Sequence, residues 1–375
     1  MNYCILPQNN YNVEICLKLI KEKQTPCISQ SVFYYLKNIH GQLSNLDNIN
    51  TPEEYNINYI HKIVNPFEFI YNNVPGTILS VSKVKPEANI FFELMEIFNI
   101  FNLTDHFSTN NIINICHLTH NHISSNYLLN MLREDNYDLV YVHDFEYNKI
   151  YEMFITNNYN IKLDLLICEF QPGDYTDTTN YIRNMLLILV IITKYQSDCG
   201  TCIIKIDNVF YKAIIDIIFI LSLFYDNTIV AKPIISDITN GERYIVCKSY
   251  NSNLFEKSKL KNQLNESLLM KIAHNNIETD KYIVSLINNN IPYYFLSKLE
   301  ESNIIIGQQQ LESYNQIINI CKNKNRDEKL EILKRQNIQK CIQWCEKHNL
   351  PHNKFIDNMN IFLTPTKKEF GFVSK

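Results

Sequence analysis

The amino-acid sequence predicts an α/β fold, with a mostly parallel sheet that has helices on both faces. Between residues 51 and 250, short apolar, β-prone runs alternate with longer helical ones, which is the pattern of such a sheet. The 375 residues are 46% hydrophobic, so the chain can bury a sizeable core. We expect a helical N-terminal extension over 1–50, the α/β domain over 51–250 and a helical C-terminal region over 251–375.

The individual elements follow from the spacing of apolar residues. The extension has apolar positions at helical spacing and ends in a polar run before residue 51. In the central domain, the predicted strands are Phe67–Tyr71, Ile112–Cys116, Leu139–Val142, Leu163–Cys168, Cys202–Ile206, Asn227–Ala231 and Tyr244–Lys248. The predicted helices there are Glu53–Val64, Ala88–Phe98, Asn126–Leu132, Thr178–Tyr195 and Val209–Phe224. Beyond Tyr250 the pattern predicts helices and no further strand.

Charge and cysteine usage narrow the class of protein. The net charge of -4 gives no chain-wide basic signature, so any contact with nucleic acid would need a local patch. The eleven cysteines lack the spacings of a disulfide framework, which is typical of an intracellular protein. The longest apolar runs are too short for the ~20 residues of a membrane span, and no secretory signal is apparent. We therefore expect no membrane association.

Two groups of residues have the spacing of metal ligands. Cys199 and Cys202 form a CxxC pair, and His117, His120 and His122 form an HxxHxH run. The cysteine pair has no second pair beside it, and the histidines lie in a loop-like stretch without ligands at convincing spacing. Core packing and a solvated loop are the favoured interpretations, and no metal is expected.

Three charged residues fall at the ends of predicted strands. Glu169 directly follows one buried strand, Lys205 interrupts another, and Glu242 immediately precedes the last. The carboxyl ends of parallel strands hold the ligands of open α/β sheets, and a lysine in an apolar strand needs a partner for its charge. Two carboxylates beside a lysine can tune its pKa so that it takes a proton from a hydroxyl nucleophile.

The second half of the central domain resembles the FtsJ-like methyltransferases, and within them the versions encoded by large DNA viruses. The similarity in order and spacing is carried by Gly200-Thr201-Cys202-Ile203-Ile204-Lys205, Lys232-Pro233 and Asn240-Gly241-Glu242-Arg243-Tyr244-Ile245-Val246-Cys247-Lys248. The resemblance extends more loosely over about 67–250. It implies a Rossmann-like methyltransferase sheet and an enzyme that uses S-adenosylmethionine to methylate a ribose 2'-hydroxyl in RNA.

The resemblance also implies a catalytic Lys-Asp-Lys-Glu tetrad. Lys205 is then the central lysine that deprotonates the ribose hydroxyl, and Glu242 is the closing glutamate. Glu169 stands where the family has its aspartate. The first lysine belongs in the helix before the glycine-containing turn, where Lys62 is the candidate, and a plain surface lysine is an equal alternative.

The cofactor turn is expected at Pro75-Gly76-Thr77, after the predicted strand Phe67–Tyr71. A glycine at this place lets the backbone approach a ligand, although an ordinary turn explains the pattern equally well. Asp144 follows another strand and could contact the adenine or ribose of S-adenosylmethionine, or could be an exposed strand-end residue.

Two functions therefore compete. In the first, the chain methylates RNA, with the first transcribed nucleotide of an mRNA cap as one substrate, in the host cytoplasm or the virion. In the second, it is a degenerate methyltransferase fold that binds within a transcription or capping complex through its C-terminal helices. The second is favoured by Thr77 where the family has glycine and by Asp237 where it has arginine. A nicotinamide-dependent oxidoreductase has little support because no GxGxxG pattern occurs.

Overall fold

A computed structural model describes most of the chain. The described residues are 1–8, 13–22, 24–47, 57–107, 112–119, 124–133, 139–143, 146–156, 161–170, 178–257, 282–323 and 326–355. The strands are β1 (Asn2–Leu6), β2 (Ile15–Ile20), β3 (Asn114–Leu118), β4 (Leu139–His143), β5 (Leu163–Cys168), β6 (Gln196–Ile206), β7 (Tyr225–Lys232), β8 (Arg243–Tyr250) and β9 (Tyr282–Ile287). The helices are α1 (Gln30–Asp47), α2 (Ile57–Val64), α3 (Ile90–Ile100), α4 (Leu103–His106), α5 (Ser124–Leu132), α6 (Tyr147–Tyr151), α7 (Thr178–Tyr195), α8 (Lys212–Leu221), α9 (Ser252–Lys257), α10 (Tyr293–Lys322) and α11 (Arg326–Lys347).

Seven of these strands form one sheet in the order β1-β7-β8-β6-β5-β3-β4. The neighbours from β6 to β4 pair in parallel, whereas β8 is antiparallel to both β6 and β7, and β1 is antiparallel to β7. Five strands therefore run in one direction. The predicted α/β class, with a mostly parallel Rossmann-like sheet, is confirmed.

Helices cover both faces of the sheet because alternate strand residues point to opposite sides. On β6, Ile204 packs in the cluster formed with α7 and α8, and Ile203 packs in the cluster formed with α3 and α5. The two clusters account for the continuous apolar runs of the central strands, which are buried on both faces. Lys205 shares the orientation of Ile203 and therefore points toward α3.

The N-terminal extension differs from the helical prediction. Asn2–Leu6 forms a strand that pairs with β7 in the register Asn2↔Lys232 to Leu6↔Thr228, and it adds an edge to the main sheet. Ile15–Ile20 forms a second strand, and within the described part of this extension only Gln30–Asp47 is helical. The strands are stabilised by partners more than 200 residues away in sequence, so local spacing could not reveal them.

The prediction that no strand follows Tyr250 is wrong as well. Tyr282–Ile287 pairs antiparallel with β2 in a two-stranded sheet. The side chain of Asp216 on α8 holds this strand, since its Oδ2 accepts bonds from Ser285 Oγ (2.9 Å) and Leu286 N (2.8 Å). The two long helices α10 and α11 follow, as the sequence predicts.

None of the helices within the described ranges combines the length and apolar content that a membrane crossing requires.

At the start of α10, Tyr293 is 79% exposed and Tyr294 is exposed, while Phe295 is buried.

Candidate active site

The structure brings Lys205 and Glu242 together at one edge of the sheet. Lys205 is the last residue but one of β6, and Glu242 directly precedes β8, which is antiparallel to β6. Lys205 Nζ lies 3.2 Å from Glu242 Oε2, and the two side chains are 13% and 11% exposed. Glu169 follows β5, the other neighbour of β6, and is close enough to contribute to the raised pKa of Lys205. The three predicted residues therefore meet at the carboxyl ends of β5 and β6.

Glu93 on α3 is a fourth member of this cluster. Its Oε2 lies 3.4 Å from Lys205 Nζ and also accepts a hydrogen bond from the Tyr244 hydroxyl on β8. The Tyr244 ring centroid lies 5.9 Å from the same ammonium. The sequence contained a signal for Glu93, because an acid within the apolar run Ile90-Phe91-Phe92-Glu93-Leu94 needs a partner when the helix is buried.

The charges in the cluster act on one another. Burial lowers the pKa of Lys205, but Glu93, Glu242 and Glu169 outweigh burial and raise it above its ordinary value. Burial raises the pKa of Glu242, and Glu93 adds to that rise while Lys205 opposes it. Lys205 is consequently an ammonium group at neutral pH, surrounded by acidic side chains.

Glu169 has a hydrogen-bond donor and a close histidine of its own. Thr119 Oγ1, just beyond β3, donates to Glu169 Oε2 at 2.7 Å, and His117 Nε2 lies 3.6 Å from the same oxygen. Burial pushes the pKa of Glu169 upward, yet the nearby His117, the hydrogen bond from Thr119 and the charge of Lys205 hold it below its ordinary value. The carboxylate therefore stays ionised although it is buried.

Glu242 is positioned by a lysine whose role was not recognised in the sequence. The Lys232 ammonium, at the end of β7, donates to Asp237 O (2.9 Å), Asn240 O (2.9 Å), Asn240 Oδ1 (3.1 Å) and Glu242 O (3.1 Å). Four oxygen acceptors from the loop 233–242 converge on one cation. Burial, with help from Arg243, lowers the pKa of Lys232 to about 8.

The loop 233–242 also contains Asp237, and it contacts α2, the helix that carries Lys62. Asp237 Oδ1 accepts bonds from the backbone N (2.8 Å) and the hydroxyl (2.7 Å) of Thr239, so its charge is engaged within the loop. From α2, His61 Nε2 lies 2.6 Å from Thr239 Oγ1. Lys62 is exposed on α2, and both ion-pair partners of Lys205 among the described residues are carboxylates. The structure thus brings Glu93 on α3 into contact with Lys205, and the assignment of Lys62 as the first lysine stays a prediction.

The expected cofactor turn does not follow a strand. The predicted strand Phe67–Tyr71 is wrong, since Glu68–Ile70 forms a 3-10 turn. The Glu68 side chain stabilises this turn by accepting bonds from Asn65 Nδ2 (2.8 Å) and Asn72 Nδ2 (2.5 Å).

Gly76 has a positive φ of 84°, and no atom lies within 4 Å of a Cβ built on it. Thr77 Oγ1 closes the turn by donating to Val74 O at 3.0 Å. Contacts of Pro75, Gly76 and Thr77 with a cofactor stay predictions, and Asp144 lies outside the described residues.

The metal-like patterns form no site in the described part of the chain. No group of three or more histidine, cysteine and acidic side chains is arranged there to hold a metal ion. His117 is buried beside Glu169, whereas His120 and His122 lie outside the described residues. Cys202 is buried in β6 and Cys199 is exposed.

Comparisons with known proteins give similarity in sequence and in structure. No family model matches the chain. A segment of 207 residues is 24% identical to cap-specific mRNA (nucleoside-2'-O-)-methyltransferase 2 of Pongo abelii, and it covers 54% of this chain but only 26% of that relative. A solved ribosomal RNA methyltransferase from Plasmodium falciparum is 16% identical, with a TM-score of 0.34 over 44% of this chain and 98% of that chain. Over about half of its length, this chain is thus a distant relative of an mRNA 2'-O-methyltransferase.

Proposed function

We propose that this chain transfers a methyl group from S-adenosylmethionine to a ribose 2'-hydroxyl of RNA at the Lys205 cluster. The observation that supports this function best is the lysine itself, held 3.2 Å from Glu242 at the carboxyl edge of a mostly parallel sheet. A buried lysine among carboxylates at that edge can bind a hydroxyl and exchange a proton with it. The distant relationship to an mRNA 2'-O-methyltransferase supports the same reaction.

Bound S-adenosylmethionine would supply an electrophilic methyl group on its sulfonium sulfur. The acceptor oxygen would form a bond to that methyl carbon while the carbon–sulfur bond breaks and its electron pair stays on sulfur. The hydroxyl proton would pass to Lys205 Nζ when this nitrogen is neutral. Glu242 and Glu93 would orient the lysine through their ion pairs.

The described residues that fit the cofactor lie at the carboxyl ends of β3 and β5. Glu169 stays ionised there, and an anionic carboxylate suits a neighbouring sulfonium cation. This edge is also where open α/β sheets bind their ligands. We propose that Asp144 and the turn Pro75-Gly76-Thr77 supply further contacts with S-adenosylmethionine.

The substrate proposed is the cap-proximal part of an mRNA, since the relative is named as cap-specific. A protein partner is proposed for the C-terminal helices. They carry exposed apolar side chains at Tyr293, Tyr294, Ile304, Ile305 and Ile332, which a partner could cover.

A second candidate function is a binding subunit of a transcription or capping complex that retains the fold without turnover. The specific observation in its favour is Glu93, an acid in contact with Lys205 that the tetrad implied by the resemblance does not include. Asp237 adds another anion near the site, and acidic groups repel the phosphates of RNA.

One set of measurements separates the two functions. Calorimetry would report binding of S-adenosylmethionine to the purified chain, and transfer of a radiolabelled methyl group would be followed on capped and uncapped RNA. The variants are Lys205→Ala and, as a matched control, Lys329→Ala, which removes an exposed lysine on α11. Transfer that is lost only in Lys205→Ala supports the enzyme. Absence of transfer in the unmodified chain contradicts it and favours the binding subunit.

A further inference from the structure

We propose that Glu93 holds Lys205 as a cation at neutral pH and thereby restrains methyl transfer until the solution is alkaline. This inference rests on the proposed function for its consequence, but the charge relationship itself can be measured without any turnover. Glu93 is a positioning residue in this account, since it acts on the lysine and not on the substrate.

Glu93 and Lys205 are in direct contact although they come from different elements. Glu93 comes from α3, an apolar helix packed on the sheet face to which Lys205 points. One carboxylate oxygen, Oε2, serves both Lys205 Nζ at 3.4 Å and the Tyr244 hydroxyl. Because the hydroxyl fixes this oxygen, the negative charge stays beside the ammonium.

The other elements around Lys205 add to the same effect. Glu242 lies at 3.2 Å from the loop before β8, and Glu169 contributes from the end of β5. Three carboxylates therefore face one ammonium. Lys232, a cation that also acts on Glu242, is occupied by four oxygens of its own loop. His117 lies beside Glu169, with its Nε2 3.6 Å from Glu169 Oε2.

The chemical consequence concerns the hydroxyl proton. A lysine can accept that proton only in its neutral form, and each carboxylate nearby lowers the fraction of neutral lysine at a given pH. With a second cation in place of Glu93, the lysine would lose its proton more readily. With Glu93 present, the neutral form becomes common only at alkaline pH, so the reaction would accelerate as the pH rises.

The experiment measures the titration of Lys205 in the full chain. Lysines are labelled with carbon-13 at Cε, the Lys205 signal is assigned by its loss in Lys205→Arg, and the titration is followed by NMR. Glu93→Gln removes the charge but keeps an oxygen that Tyr244 can bond. Glu87→Gln is the matched control, because Glu87 is an exposed glutamate just before α3.

We expect Lys205 to titrate about one pH unit or more lower in Glu93→Gln than in the unmodified chain, and no change in Glu87→Gln. Methyl transfer at pH 7.5 should rise about tenfold for each unit of that shift, with the pH profile displaced downward. A Lys205 titration that stays the same in Glu93→Gln overturns the inference. A displaced titration without methyl transfer in either chain supports the role of Glu93 in fixing the charge and contradicts the proposed function.

Discussion

Arg243 Nη1 donates a hydrogen bond of 2.8 Å to the side-chain oxygen of Asn303, and this bond connects α10 to the strand that begins directly after Glu242. The arginine is 1% exposed, and its Nε also donates to Gly241 O at 3.0 Å. Asn303 Nδ2 in turn donates to Val209 O at 2.7 Å, beyond the end of β6. One asparagine of the C-terminal region therefore secures two segments that flank the candidate site.

Replacing Asn303 by leucine should destabilise the protein. The change removes the acceptor of a buried guanidinium and leaves Val209 O without this donor, so we expect a loss of about 2 to 4 kcal/mol in the free energy of unfolding. Denaturant titration measures it. Asn303→Asp retains an acceptor for Arg243 and should lose less. Equal losses in the two variants would contradict the importance of the arginine contact.

Lys232→Met should loosen the loop 233–242. The variant keeps an apolar stem of similar length but leaves four oxygen acceptors without their shared donor, which should cost about 2 to 3 kcal/mol. Hydrogen exchange of this loop should accelerate, and methyl transfer should fall because Glu242 is no longer held. Lys329→Met, at an exposed position on α11, should change the stability by less than about 0.5 kcal/mol. Unchanged loop protection in Lys232→Met would refute this role.

Lys205→Met should make the stability depend on pH in a defined direction. Without the ammonium, the buried carboxylates face one another, and the pKa of Glu242, already raised by burial and by Glu93, should rise further. A carboxyl group whose pKa is higher in the folded than in the unfolded chain stabilises the fold below the unfolded pKa. That stabilisation is lost as the pH rises through the folded pKa.

We therefore expect Lys205→Met to be about 3 kcal/mol less stable than the unmodified chain at pH 7.5, and closer to it at pH 5. Thermal unfolding at the two pH values measures the difference. A deficit that is equal at both would show that the acids of the site are not coupled to the lysine.

We expect His348 to make the protein less stable in acid. It packs against Trp344 with ring centroids 4.3 Å apart, and its Nδ1 lies 2.9 Å from Asn99 Nδ2. Burial, aided by Lys347, lowers its pKa to about 4. Between about pH 6.5 and pH 4, the His348 imidazole is therefore protonated in the unfolded chain but neutral in the folded chain. Stability is lost as the pH falls through that window.

After an allowance for partial solvent screening, this residue should account for about 1 to 2 kcal/mol. Urea titrations at pH 7 and pH 4.5 would compare the unmodified chain with His348→Gln, which cannot become charged. The dependence on pH should be smaller in the variant, and an identical dependence would contradict the assignment.

The sequence predicted the strand ends that carry Glu169, Lys205 and Glu242. Strands that are buried on both faces have uninterrupted apolar sequences. A charge at the end of such a run stands out, and the carboxyl ends of neighbouring strands meet at one edge. Leu163–Cys168 was predicted with its observed bounds, as was the helix Thr178–Tyr195. The role of each residue in catalysis stays a prediction.

Two strands that the sequence did not predict depend on distant partners. Asn2–Leu6 is a strand because it forms backbone hydrogen bonds with β7, and Tyr282–Ile287 is a strand because it forms them with β2. The local sequence pattern does not show which distant segment will pair with it. Phe67–Tyr71 has the composition of a strand, but the hydrogen bonds to Glu68 close it into a turn.

By itself, the sequence determined the α/β class, the central strands and the presence of a lysine with carboxylates at one sheet edge, because burial requires apolar runs and buried charges interrupt them. Only the tertiary structure decided that Glu93 is the residue from α3 that contacts Lys205, and that Lys232 holds the loop of Glu242. The physical reason is that ion pairs and hydrogen bonds depend on distances of a few ångströms between elements far apart in sequence, whereas hydrophobic patterning acts along each element separately.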